Sequence, residues 1–198
     1  MRFWNLLLLA LVAWTVLGAI GISISMFLGE RAKALRHLGW IFGIWAAYMA
    51  VLMATSLLQP QKTVAMGQDQ CFGDICFAVT SVEEVPGFLI HDGSRLVRVS
   101  IRVSNRGRDK TQSDKLVQAY LVDAQGRRWE ESMGISSVRL TATVPAGSSV
   151  MSEAVFKVAN DASGLSLVLT HGHWQPGVFV IGDPDSLLHR QTRVPLGR

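Results

Sequence analysis

Two long apolar runs occupy the first 58 positions, and one short polar break divides them. Leu6 to Leu28 holds 23 residues and Leu38 to Leu58 holds 21, and neither run contains a charged residue. At about 1.5 Å per helical residue each spans roughly 30 Å or more, the thickness of a bilayer's hydrocarbon core. The pattern predicts two transmembrane helices, about 6–28 and 38–58, joined by a tight bend at 29–37. Beyond them the period changes. Val97, Val99, Ile101 and Val103 alternate with Arg98, Ser100, Arg102 and Ser104, the signature of a strand with one buried face. Shorter alternating stretches recur at Phe77–Thr80, Val117–Leu121, Val138–Val144, Ala154–Val158, Leu165–Leu169 and Val178–Ile181, with a return from the Asp123–Gly126 turn at Arg127. Turn residues separate them every ten or so positions, and no long crossover helix intervenes. The expected fold is an all-β antiparallel sandwich behind a two-helix hairpin. In domain terms this gives 1–58 as the anchor, 59–70 as a tether and 71–198 as the β domain.

Charge orients the hairpin. The break carries Arg31, Lys33 and Arg36 against Glu30 alone, and short loops rich in Lys and Arg remain on the cytoplasmic side. Both chain ends then face outwards, which makes this a two-pass protein of the cytoplasmic membrane with its C-terminal domain extracytoplasmic, in the periplasm or at the cell exterior. Arg2 before a Leu-rich stretch has the look of a secretory signal peptide, but the run is too long and no A-x-A site follows it. The formal charge of +4 is largely this topology signal: the first 58 residues contribute +3, and from Gln59 onwards 15 Lys and Arg face 14 Asp and Glu. A nucleic-acid partner is not expected. The expected partners are the bilayer and other membrane or envelope proteins. No Asp, Glu, Lys, Arg or His lies within either span, which argues against a transport pathway. Small residues recur every four positions as Gly21, Ser25, Gly29 and as Gly39, Gly43, Ala47, so the two helices are expected to pack through these stripes.

Cys71 and Cys76 are the two cysteines of the chain. With Gly73-Asp74 as a two-residue hairpin turn, Phe72 faces Ile75 and Cys71 faces Cys76, within reach of a disulfide. An extracytoplasmic address would favour its formation.

The stretch Leu96 to Gly107, the turn at Tyr120 to Trp129, and Pro145-Ala146-Gly147-Ser148-Ser149-Val150 leading into Val155-Phe156-Lys157-Val158 together resemble the telokin-like, immunoglobulin-fold domains of bacterial lipoproteins and membrane-anchored proteins. The likeness covers roughly Cys76 to Ile181. It implies an immunoglobulin-like fold and an extracytoplasmic address, and brings no catalytic residue with it.

Candidate chemistry is sparse. There is no G-x-S-x-G elbow, no HExxH and no P-loop, and the pairs Glu83-Glu84 and Glu130-Glu131 point to opposite faces of their strands. No enzyme activity and no cofactor are expected. His171-Gly172-His173 is the one metal-like cluster, and a turn between strands accounts for it without a metal. Arg98 and Arg102 share the polar face of one strand, and with Arg106 and Arg108 they make the candidate contact for an anionic surface such as lipid head groups. The expected function is a membrane-anchored binding module. The alternative is an accessory structural subunit of a larger membrane complex, with a metal-binding envelope protein behind both.

Overall fold

The computed structural model describes residues 3–85, 93–132, 138–172, 176–182 and 186–197. The chain divides into two compact units, one made of 1–60 with 173–190 and the other of 61–172 with 191–198.

In the first unit α1 runs from Phe3 to Phe27 and α2 from Arg31 to Leu58, separated by Leu28, Gly29 and Glu30. Both are long and apolar enough to cross a membrane by length and composition. The second helix starts seven residues earlier than the apolar run suggests, so most of the expected 29–37 loop is helical. Ala32, Lys33, Ala34, Leu35 and Arg36 are strong helix formers, and the charges mark where the helix is polar rather than where it ends. Gly29 at φ 78° makes the bend, a left-handed conformation that costs glycine little.

The helices meet through Trp45, whose indole Nε1 donates to Thr15 Oγ1 at 3.0 Å, and through Gly18, where an added Cβ would lie 2.9 Å from Ile41 Cδ1. The glycine stripes are not that contact. A Cβ at Gly21, Gly39 or Gly43 would have no atom within 4 Å, so these positions face away from the partner helix. The four-residue spacing marks a smooth face but does not say what the face meets.

The same unit holds the stretch around 176–190. The strand expected at Val178–Ile181 is instead a 3-10 turn, Pro176–Phe179, followed by a bend. Its apolar residues pack on helix rather than pairing in a sheet: Ile181 and Leu187 join Tyr48 and Leu52 of α2 and Leu7, Leu8 and Leu11 of α1 in one cluster.

The second unit is a β-sandwich. One sheet has the order β1 (Gln70–Phe72), β2 (Ile75–Glu84), β3 (Ser94–Asn105), β6 (Ser149–Ala159), and the other the order β5 (Arg128–Glu130), β4 (Gln118–Val122), β7 (Ser166–Thr170), β8 (Arg193–Pro195). All pairings between these strands are antiparallel. The inward residues of β3, namely Val97, Val99, Ile101 and Val103, meet Phe77, Val79, Ala154, Phe156 and Val158 from their own sheet and Leu121, Leu167, Leu169 and Val194 from the other in one core. Thr80 is an extra residue in β2, where the register slips between Val79 and Ser81.

Two expected elements differ. Val138–Val144 is not a strand: Arg139 and Ala142 close a turn, while Leu140 and Val144 are buried and Val144 bridges to Gln112. Alternating apolar residues satisfy a folded-over loop as well as a strand when only two of them have to reach the core. The segment expected as a tether is laid onto the sandwich from Gln61 on. Thr63 bridges in parallel to Arg193, Val64 packs against the core, and the Gly67 amide donates to the Val79 carbonyl.

Candidate interaction surface

The polar face of β3 carries the arginine row. Val97↔Phe156 and Val99↔Ala154 put the odd positions into the core, so Arg98, Ser100 and Arg102 stand on the other face. Each guanidinium has a carboxylate. Arg98 Nε lies 3.8 Å from Glu153 Oε2, Arg102 lies 3.5 Å from Asp69 Oδ1 and Arg106 pairs with Asp69 Oδ2, while Arg95, at an odd position and so outside this row, pairs with Glu84. Arg108 makes no ion pair among the described residues. The counter-charges of the row are therefore Asp69 and Glu153, contributed by the segment before β1 and by β6. Sequence spacing does not expose them, because Asp69 is 33 positions from Arg102 and reaches it only through the fold. Three paired arginines against two carboxylates leave the row weakly basic, and exposed pairs of this kind add about 0–1 kcal/mol each to stability.

At one end of the same sheet, Phe72↔Ile75 and Cys71↔Cys76 close the Gly73-Asp74 hairpin, and the two sulfur atoms lie 2.02 Å apart, a disulfide bond. Gly73 at φ 65° supplies the left-handed turn residue. The Phe72 ring packs on the His171 ring with centroids 4.5 Å apart, and His171 Nε2 lies 2.6 Å from Asp114 Oδ2. His171 is thus engaged by a carboxylate and an aromatic ring, while His173 lies outside the described residues. Among the described residues there is no cluster of three or more metal-binding side chains. The double substitution Cys71→Ser with Cys76→Ser is expected to lower unfolding free energy by about 2 kcal/mol, the loop-entropy value for so small a ring. Pulse proteolysis of the full-length chain across a urea series would measure it.

The opposite sheet carries a structural charge cluster. Asp123 is buried at the turn before β5, and its carboxylate accepts from the amides of Gln125 and Arg127 at 2.9 Å each and from Arg127 Nε at 2.7 Å. Burial alone would raise its pKa, but the side-chain and backbone hydrogen bonds and the charge of Arg127 together hold it below the usual aspartate value. Asp161, 2.9 Å away, completes the pairing of Arg127. Nearby, the Arg128 guanidinium sits 3.7 Å from the centre of the Tyr120 ring. These contacts fix a hairpin.

No curated protein matches the chain. Solved structures are similar at low identity. An uncharacterized β-sandwich protein from Clostridium difficile is 7% identical, with 70% of this chain and 96% of that one covered at a TM-score of 0.45. The secreted protein MPT63 from Mycobacterium tuberculosis is 13% identical, covering 57% and 92% at 0.44. The yjhA protein from Bacillus subtilis is 16% identical, covering 67% and 98% at 0.40. The family evidence comes from the sequence itself: residues 64–178, more than half of the 198, match the family described as Domain of unknown function (DUF4352), and the chain belongs to that family.

Proposed function

We propose that the protein is a non-enzymatic interaction module of the cell envelope, attached to the cytoplasmic membrane by its two helices with both chain ends on the outer side. The observation that carries this reading is the exposure of the helices. Away from the strip around Tyr48 and Leu52, most of their apolar side chains face outwards, with Leu17 and Phe42 each 69% exposed, whereas a helix in a soluble core would bury them. A bilayer would solvate such a surface, which supports the anchor reading.

The sandwich supplies the recognition surface. Its sheet neighbours, β2-β3-β6 on one side and β5-β4-β7-β8 on the other, support an immunoglobulin-like reading, because they follow the A-B-E and C′-C-F-G neighbours of that fold. The arginine row of β3 is the face we assign to anionic partners, with Arg98, Arg102, Arg106 and Arg108 as its contacts. A bonded Cys71–Cys76 pair agrees with an oxidising compartment. A second reading, an accessory subunit of a larger membrane complex, is favoured by one observation: Gly21, Gly39 and Gly43 leave helix faces open for close approach by another helix.

The orientation is tested by adding protease to intact spheroplasts. The β domain is expected to be cut in intact spheroplasts, and a C-terminal reporter active only in the cytosol is expected to stay dark. Protection of the domain together with an active reporter would reverse the orientation and remove the envelope module with it.

A further inference from the structure

Asp69 holds two of the arginines at once. Gln70 pairs with Phe77 at the start of β1, so Asp69, one residue earlier, comes alongside Ala78, and Ala78 stands opposite Arg102. Phe77 and Val79 lie in the core, which puts Ala78 on the outer face with the arginine row. Two strand spacings, about 10 Å, separate Asp69 from Arg102, and the small Ala78 side chain leaves that span clear for a guanidinium to cross. The chain is fixed on both sides of the carboxylate. The Gly67 amide donates to the Val79 carbonyl at 2.8 Å, and the Cys71–Cys76 bond closes the hairpin just beyond.

The pairing itself is loose. Arg102 Nη2 lies 3.5 Å from Asp69 Oδ1, an ion contact too long for a good hydrogen bond, and that oxygen is buried with no hydrogen-bond partner among the described residues. Oδ2 accepts from Arg106. A buried carboxylate oxygen without a donor costs free energy, so the path of the chain, rather than a well-made contact, keeps Asp69 between these arginines. The side chains of Arg102 and Arg106 are 43% and 62% exposed against 21% for Asp69. N–H donors of both guanidiniums therefore remain open to solvent, and one carboxylate between them leaves a positive charge over. Arg98 is held as loosely: its Nε, 3.8 Å from Glu153, is buried without a hydrogen-bond partner among the described residues. It stands four residues before Arg102, about 13 Å along β3.

We propose that Arg102 and Arg106 form a subsite for a carboxylate of an acidic, extended segment of a partner protein, and that Asp69 is an internal competitor for this subsite. The inference rests on the reading of the arginine row as the face for anionic partners, and adds the chemistry of the partner and the residue that regulates access. The group already held there is an aspartate on the run of chain leading into β1, and a second segment in extended conformation presents Asp or Glu in the same way. Acidic side chains four residues apart on such a segment match the spacing of Arg98 and Arg102. Binding exchanges one carboxylate for another, so a partner gains only the difference between its contacts and those of Asp69.

The test uses full-length protein in phosphatidylcholine nanodiscs without reductant, with a labelled octaglutamate peptide as the probe and fluorescence anisotropy at low ionic strength as the readout. Asp69→Asn keeps the volume and removes the charge, and is expected to bind the peptide about three- to tenfold more tightly than the wild type, the loss of two competing ion pairs. Glu84→Gln removes the same charge from the partner of Arg95, outside the row, and is expected to stay within about twofold of the wild type. Adding Arg102→Ser and Arg106→Ser to Asp69→Asn is expected to abolish the gain. An equal change in Asp69→Asn and Glu84→Gln, or none in either, overturns the internal competitor; the anionic face still stands when Arg98→Ser with Arg102→Ser abolishes wild-type binding. Absence of peptide binding by both the wild type and Asp69→Asn overturns the acidic segment. Flotation of the protein with phosphatidylglycerol vesicles in that case gives the face to lipid head groups, and no flotation removes the anionic face as well. Should Asp69→Asn fail to fold, Asp69→Ser takes its place and the same outcomes decide.

Discussion

Phe156→Ala is expected to lower the unfolding free energy of the sandwich by about 3–5 kcal/mol. Phe156 is fully buried in β6, opposite Val97 of β3, and belongs to the cluster that draws on both sheets. Truncation removes the transfer energy of the ring and leaves a cavity that rigid sheets on both sides cannot close. Domains of this size are stable by about 5–15 kcal/mol, so the change removes a large share, and the thermal midpoint is expected to drop by roughly 10–20 °C. Met151→Ala is the control: it lies on the same strand but is half exposed, and its effect is expected to stay within about 0.5 kcal/mol. Pulse proteolysis in urea on the detergent-solubilised chain reads both. Equal losses would mean that the core does not run through Phe156.

That core was the legible part of the sequence. β3 is readable because the eight residues from Val97 to Ser104 alternate without interruption, and one face of a sheet needs no more information than that. The helices are readable because length and absence of charge are local properties. What escapes a reading by period is whatever a distant segment decides. Val178–Ile181 has strand composition, yet it packs on Tyr48 and Leu52, more than 120 positions earlier, and helix surface satisfies it without a ladder. Leu140 and Val144 reach the core from a turn. The small-residue stripes carry the spacing of a helix contact, but it is Gly18, outside both stripes, that meets the partner helix at Ile41.

The candidate surface divides in the same way. The arginines of β3 are visible as a row, since alternation places Arg98 and Arg102 on one face. Asp69 and Glu153 are not, because the pairs they form depend on a chain path that passes along the sheet before β1 and on the register of β6. The sign of the row can be read from sequence, whereas its strength requires the counter-ions. The local hairpin at Cys71 to Cys76 needs only a two-residue turn, so its register follows from the positions of Gly73 and Asp74.

Asn105→Ala is the second large effect, with an expected cost of about 2–4 kcal/mol, and it acts through hydrogen bonds rather than packing. Asn105 ends β3 and is 2% exposed. Its Nδ2 donates to the carbonyls of Lys110 at 2.8 Å and Val144 at 2.9 Å, and its Oδ1 accepts from the Gly107 amide at 2.9 Å. Its backbone pairs with Ser148 and Gly147. One side chain thus ties together the loop after β3, the loop before β6 and the segment around Lys110. Gly107 is part of the arrangement, since a Cβ there would stand 2.9 Å from Asn105 Oδ1. Alanine leaves the Gly107 amide and the Lys110 carbonyl without this partner, and burial makes that costly. Asn105→Asp separates the causes because it keeps the volume and the acceptor but removes both donors and turns a carboxylate towards two carbonyls. At neutral pH it is expected to cost at least as much as alanine in the same urea assay. A stable Asn105→Asp protein would show that shape, and not the paired amide, holds these loops.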